Sequence, residues 1–287
     1  MLFDTSKIFI DYSRELKNTL DSHGIAVGSL IEAYLGIKKS LTKRLSEKQY
    51  QQVENILESG IEEIQSGNKI LTPLMQVPSK VLVQTKDYLH AMLEGNNSGA
   101  QYVIQQGFVE GLTLVDMEVG IVQPAMYQIG ELWQNNRITV AQEHLATAVS
   151  EKILAQAFSQ ADFKNPVDKK VVCACVEGNY HCLGLRMIAD AYETSGWDVA
   201  FLGANTPCNS ILAMLDNDKV DALALSVSMA PQLFLVRRLI DQLKADIGSK
   251  MPAIILGGIA LNQYRGLSPS LKIDQYYTDA KDLYDDL

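Results

Sequence analysis

Residues 168–184 read DKKVVCACVEGNYHCLG. Val171 to Val176 form an unbroken apolar run between a charged start and a polar loop, the pattern of a strand buried on both faces of a parallel sheet. The loop that follows holds Gly178, Asn179 and one histidine, His181; Gly184 comes three residues later and a helical pattern begins at once. Strand, loop and helix in this order predict a βαβ unit. They put the imidazole of His181 at the carboxyl end of a strand, where open α/β sheets keep their ligands.

Downstream the pattern repeats. Strands are expected near 170–176, 198–202, 221–226, 252–256 and 273–277, with helices at 184–196, 207–216, 231–247, 259–265 and 279–285. Strands separated by helices of this length require parallel crossovers and a doubly wound sheet. Upstream, the first 166 residues read as helices. Tyr50, Val53, Ile56, Leu57, Ile61 and Ile64 make an apolar stripe behind a Ser46–Gln49 capping box, and Gly67-Asn68 ends it. The segment 71–80, LTPLMQVPSK, carries two prolines and reads as a linker. Further helices are expected at about 79–94, 99–110 and 113–122, then from Pro124 to Asn135-Asn136. A last one, capped by Thr139 and Gln142, runs to Gln160. The fold class is therefore α then α/β: N-terminal helices over 1–78, an antiparallel helical bundle over 79–165, and a doubly wound five-stranded parallel sheet over 166–287.

Composition narrows the function classes. A net charge of -9 over 287 residues does not suit a nucleic-acid surface, which needs clustered Lys and Arg. A role in transcription would run through a protein partner. No apolar run reaches the length of a membrane span, and acids near the start do not fit a secretion signal, so the expected compartment is the cytoplasm. The four cysteines have no zinc spacing; Cys173 and Cys175 alternate along the first strand and read as core thiols.

In a doubly wound sheet the loops after successive strands converge on one edge. Here they are Glu177–Gly184, Ser226-Val227-Ser228-Met229-Ala230 and Gly257-Gly258-Ile259-Ala260. None is a dinucleotide fingerprint or a phosphate loop. Small hydroxyl residues and a Gly-Gly pair leave room for a bulky ligand and offer one nitrogen donor. An isolated loop histidine more often caps a helix, so the weight rests on three loops in register.

Asn179, Tyr180, His181, Cys182 and Gly184 resemble the D-x-H-x-x-G motif of cobalamin-binding domains. Ser226, Val227 and Ser228 resemble that family's serine loop after strand three, and Gly257-Gly258 its Gly-Gly pair after strand four. The resemblance spans residues 166–280 and implies a Rossmann-like, flavodoxin-like domain. His181 would be the lower axial ligand of cobalt, displacing the cofactor's own base, whose tail threads into the sheet edge. The family usually has Asp or Glu where Asn179 stands. A carboxylate raises the basicity of a ligating imidazole, whereas an amide can only orient the ring, so ligation should be weaker or differently tuned.

Trp133 is followed, nine residues on, by Glu143-His144. This W-x9-E-H arrangement resembles the signature of light-sensing cobalamin proteins, including the B12-dependent MerR-type repressors. The resemblance implies that Trp133, Val140, Glu143 and His144 face the upper side of the corrin: indole on the adenosyl group, carboxylate on its ribose hydroxyls, Val140 at the adenine. Those repressors begin with a winged-helix DNA-binding domain, which residues 1–78 do not show. They also carry a second histidine directly after the tryptophan, where this chain has Gln134. The match is therefore nearer to stand-alone members or to bilin-plus-cobalamin photosensors.

The implied function is a non-enzymatic light sensor holding adenosylcobalamin or methylcobalamin. It would be a homo-oligomer whose state depends on light, with a protein partner for output, no direct nucleic acid and no membrane. Biliverdin is a possible second chromophore, with Tyr88, His90 and the N-terminal helices as the places to look. The alternative is a corrinoid methyl-carrier subunit of a methyltransferase system. A cobalamin-level or redox sensor and an isomerase rank lower.

Overall fold

The computed structural model describes residues 5–66, 79–217 and 219–287; most of the 71–80 linker segment lies outside them. The chain divides into two compact units, one made of residues 1–76 and 127–143, the other of residues 77–126 and 144–287.

In the first unit, α1 (Thr5–Ser22), α2 (Gly28–Leu41) and α3 (Glu47–Ser66) pack around Leu30, Tyr34, Leu57 and Ile64. Val53, Leu57, Ile61 and Ile64 recur at helical spacing, so α3 turns one apolar stripe to Phe9, Leu16 and Leu20. Each large apolar side chain so buried stabilises the unit by about 1.5–3 kcal/mol. Close approach of α1 and α3 depends on Gly60, where a Cβ would lie 2.4 Å from the Phe9 ring. The Tyr34 hydroxyl, taken into this core, meets Ser13 Oγ at 3.0 Å. Lys38 bridges Glu54 and Glu58 on the outer face. The C-terminal part of α7 (Gln123–Gln134), the turn after it and the first turn of α8 (Val140–Phe158) complete this unit.

The second unit begins with α4 (Leu82–Leu93), α5 (Asn97–Val109) and α6 (Leu114–Met117), the last started by a reciprocal Thr113–Asp116 capping box. A π-helical turn, Glu118–Val122, joins α6 to α7. Such a turn inserts a residue and disturbs the helical ladder; here the Gly120 carbonyl accepts from the buried Thr85 hydroxyl at 2.9 Å. Tyr88, fully buried on α4, donates to Ser150 Oγ of α8 at 2.9 Å.

The rest of the unit is β1 (Lys170–Val176), α9 (Leu183–Thr194), β2 (Asp198–Thr206), α10 (Cys208–Asn217), β3 (Ala222–Ser226), α11 (Gln232–Asp246), β4 (Ala253–Gly257), α12 (Ile259–Gln263), α13 (Ser268–Leu271), β5 (Gln275–Tyr276) and α14 (Ala280–Asp286). All strand pairs are parallel, in the order β2-β1-β3-β4-β5. This is the flavodoxin-like order, and its switch point lies between β1 and β3. Val171 to Val176 are buried throughout, as a central strand of a covered parallel sheet requires. Burial pushes the Cys173 and Cys175 thiols up to about 12, as befits inert core groups.

Two strand boundaries differ from the sequence reading. β2 runs on to Thr206 because β1 keeps pairing across a bulge, where Gly203 takes positive φ and the register shifts. β5 pairs through just two residues, being an edge strand beside β4 alone.

Candidate functional site

The loop after β1 is fastened on several sides. Gly178 sits at φ 78, a conformation glycine adopts without strain. Its N–H donates to Asn205 Oδ1 at 2.8 Å, and its carbonyl accepts from Gln232 Nε2 at 3.1 Å. Asn205 N–H donates to the Asn179 carbonyl at 2.8 Å. Asn179 is fully buried; its Nδ2 donates to the Ser226 carbonyl at 3.0 Å and its Oδ1 accepts from the His181 peptide N–H at 3.1 Å. Both ends of the amide are thus engaged by backbone. In this structure Asn179 orients the peptide of His181.

His181 itself is exposed, and its ring forms no hydrogen bond or ion pair among the described residues. Tyr180 beside it is 71% exposed. Cys182 lies 3.9 Å, Sγ to Oε1, from Glu151 of α8; burial, then the Glu151 charge, push its thiol up. Gly184, the last residue of the motif, stands in the first turn of α9, where a Cβ would meet nothing within 4 Å.

The loops after β3 and β4 meet the first one. Ser226 and Val227 are buried and Ser228 is half-buried. Gln232 Oε1 accepts from the Ser228 and Met229 N–H groups at 2.9 and 3.0 Å. Gly258 stands at φ 107, ψ 161, in a region only glycine occupies readily. A Cβ there would lie 2.1 Å from the Val227 carbonyl oxygen. Gly258 is thus required by the neighbouring loop's backbone, and Val227 N–H closes the contact on the Gly257 carbonyl at 3.1 Å. The site so built is an unengaged imidazole on a restrained loop at the switch point, with two small-residue loops beside it. That donor set fits one axial nitrogen ligand of a metal brought in its own flat ring.

In the first unit, Trp133 is half-buried at the end of α7, Val140 is exposed, and Glu143 lies in the first turn of α8 behind the Thr139–Gln142 cap. The Trp133 ring meets His23, at 5.8 Å between centroids. His23 Nδ1 lies 2.9 Å from the Thr19 carbonyl, which can only accept, so that nitrogen donates. Ser22 Oγ and Asn136 Nδ2 tie the same corner to Gln134 O and Ser22 O. His144, in the second unit, is exposed. Of the bilin candidates, Tyr88 is buried against Ser150 while His90 is exposed beside Glu94 at 3.4 Å, so α4 turns them to different faces.

One buried cluster escaped sequence reading. Glu118, in the π-helical turn, is fully buried beside Asp190 of α9. Desolvation, then the Asp190 charge, push its carboxyl well above the usual range; burial raises Asp190 too, against the bond from Glu118 and the Arg186 charge. Arg186 Nε lies 3.1 Å from Asp190 Oδ1, off line for a hydrogen bond, and its guanidinium packs on Phe201 and Phe158. The available signal was phase: Glu118 recurs with the buried Leu114, Ile121, Val122 and Ala125. Gln232 and Asn205 carried no such signal.

Residues 169–276 match the model of the B12 binding domain, and residues 84–157 match a second B12 binding domain model. The chain therefore carries a helical and a parallel-sheet B12-binding domain, and cobalamin binding is supported. It is 29% identical over 157 residues to the HTH-type transcriptional repressor CarA of Myxococcus xanthus, covering 53% of this chain and 51% of that protein. It is also 29% identical over 93 residues to the methanol–corrinoid protein of Methanosarcina barkeri, covering 32% of this chain and 35% of that one. The chain thus spans half the length, or less, of these relatives. Among solved structures, the monomethylamine corrinoid protein of Methanosarcina barkeri aligns with a TM-score of 0.58 at 16% identity, over 72% of this chain and 100% of that one, a likeness of fold. No helix among the described residues is long and apolar enough to cross a membrane.

Proposed function

We propose that this chain, with its two B12-binding domains, is a cobalamin-dependent light sensor. The observation that carries the cofactor half is the exposed, unengaged imidazole of His181 on a loop restrained by Asn179, Asn205 and Gln232. The sensor half rests on Trp133 and Glu143-His144, and on the likeness to a transcriptional repressor over about half the chain.

Bound alkylcobalamin supplies a cobalt–carbon bond that visible light breaks. His181 would hold the cofactor through one ring nitrogen, while Ser226, Val227, Ser228, Gly257 and Gly258 would receive its tail. Trp133, Val140, Glu143 and His144 hold the alkyl group, adenosyl in preference to methyl. Loss of that group removes their contacts, and the change alters an oligomeric or partner-binding surface. In this reading residues 79–165 are the cap, 166–287 the tail-binding domain, and 1–78 the output region acting through a protein partner.

The methyl-carrier reading has its own support in the match to the methanol–corrinoid protein. One experiment separates them: the protein loaded with adenosylcobalamin in the dark, its absorption spectrum and elution volume recorded before and after green light. A sensor bleaches to an aquo-like or ligated form and changes its elution volume. A protein whose elution volume is indifferent to light and which, loaded instead with methylcobalamin, passes that methyl group to a thiol in the dark is a carrier. Added biliverdin that leaves no absorption band on the protein removes the second chromophore. His181→Ala should shift the cobalamin spectrum and weaken binding, and Trp133→Ala should lower the preference for adenosyl over methyl.

A further inference from the structure

Gln232 does what no motif of the sequence assigns to it. It is the first residue of α11 and is 5% exposed, yet every polar atom of its side chain is engaged on a loop of the site. Oε1 takes two adjacent peptide N–H groups of the β3 loop, Ser228 and Met229; Nε2 reaches across the switch point to the Gly178 carbonyl of the β1 loop. Gly178 is gripped on its other side by Asn205 of β2. One residue further on, Asn179 carries the restraint from the Ser226 carbonyl to the peptide N–H of His181. A shift of the β3 loop therefore arrives at the histidine loop through two parallel ties, Gln232 to Gly178 and Ser226 to Asn179.

We infer that Gln232 is a positioning residue that couples the serine loop to the His181 loop, so that the imidazole's aim at its metal depends on how the 226–229 backbone is held. The inference rests on the cobalamin reading of the same site. Asn179 is tied to backbone at both ends of its amide and the His181 ring takes no hydrogen bond from it, so in this structure the ring's direction follows from the backbone that carries it. Outer partners of a metal-ligating histidine act in this way, and losing one weakens ligation on the order of 10- to 100-fold.

The test uses the full chain with hydroxocobalamin as the probe. Gln232→Glu is nearly isosteric: a carboxylate still accepts from Ser228 and Met229 but turns an acceptor on the Gly178 carbonyl. Gln232→Met keeps the length and loses all three bonds. The readout is the pH midpoint at which acid displaces the protein imidazole from cobalt, followed by absorption, with the melting temperature measured alongside. Both variants should move the midpoint upward by about one unit, a tenfold weaker ligation, and Gln232→Met should move it at least as far as Gln232→Glu. A merely structural role would lower the melting temperature and leave the midpoint of the bound cofactor in place. Whichever variant folds, a wild-type midpoint in it overturns the inference. If instead wild-type protein takes up no hydroxocobalamin, or shows no imidazole-bound spectrum that His181→Ala abolishes, the cobalamin reading itself falls.

Discussion

Replacing Gly258 by alanine tests the assembly of the site at its tightest point. The backbone there stands at φ 107, ψ 161, and the new Cβ would lie 2.1 Å from the Val227 carbonyl oxygen and 2.9 Å from Val227 C and N. These are backbone atoms of an adjoining loop, so no side chain can swing away; one loop must retreat by about 1 Å to restore ordinary contact. The strained conformation alone costs about 1–3 kcal/mol. Retreat also breaks the Val227 N–H to Gly257 carbonyl bond, a further loss of about 1 kcal/mol. A loss of about 2–4 kcal/mol lowers the melting temperature of a domain of this size by roughly 5–15 °C. Thermal unfolding followed by far-ultraviolet circular dichroism reads this directly. Gly184→Ala is the internal control: it lies in a helix with nothing within 4 Å, so alanine should be neutral or stabilising by up to about 1 kcal/mol. A Gly258→Ala protein melting within about 2 °C of wild type, or two variants behaving alike, would refute the account of the Gly-Gly pair.

The remaining predictions concern the buried interior. Glu118 titrates from an ordinary value of 4.5 in the unfolded chain to a raised value in the folded one. Its contribution to stability is thus complete below that ordinary value and lost as pH rises through the raised one. Glu118→Gln should therefore gain stability over wild type on going from pH 5 to pH 9 in denaturant titrations; parallel pH curves would show that the Glu118 carboxyl is not raised. Tyr88→Phe removes the donor to Ser150 Oγ and should cost about 1 kcal/mol, read from the denaturation midpoint, with an unchanged midpoint counting against the bond. Gly60→Ala in the first unit places a methyl 2.4 Å from the Phe9 ring. Overpacking of this kind costs about 1–3 kcal/mol, read from the denaturation midpoint, and an unchanged midpoint would mean that the ring tilts away freely.

Much of the site was legible because its pieces are local. The run Val171–Val176, the polar loop with His181, and the two small-residue loops each lie within a few residues of a strand end, so periodicity and turn chemistry locate them. Less legible were the residues whose role depends on what lies across the sheet. Gln232 looks like any polar residue opening a helix, and Asn205 like a turn former. Only the parallel pairing of β1 with β2 and β3 brings them onto Gly178. Asn179 shows the limit most plainly: no local pattern announces that its amide ties the Ser226 carbonyl to the His181 peptide.

What the sequence by itself determined is the order of elements, the helical first part, the parallel sheet, and the presence of a histidine at a strand's carboxyl end, because these follow from side-chain periodicity along a single chain. What only the tertiary structure decided is why Gly258 must be glycine, which residues hold the histidine loop, and that Glu118 meets Asp190 in the buried interior. The physical reason is that close approach, hydrogen-bond satisfaction and desolvation are properties of pairs of segments far apart in sequence. They do not exist until packing brings those segments together.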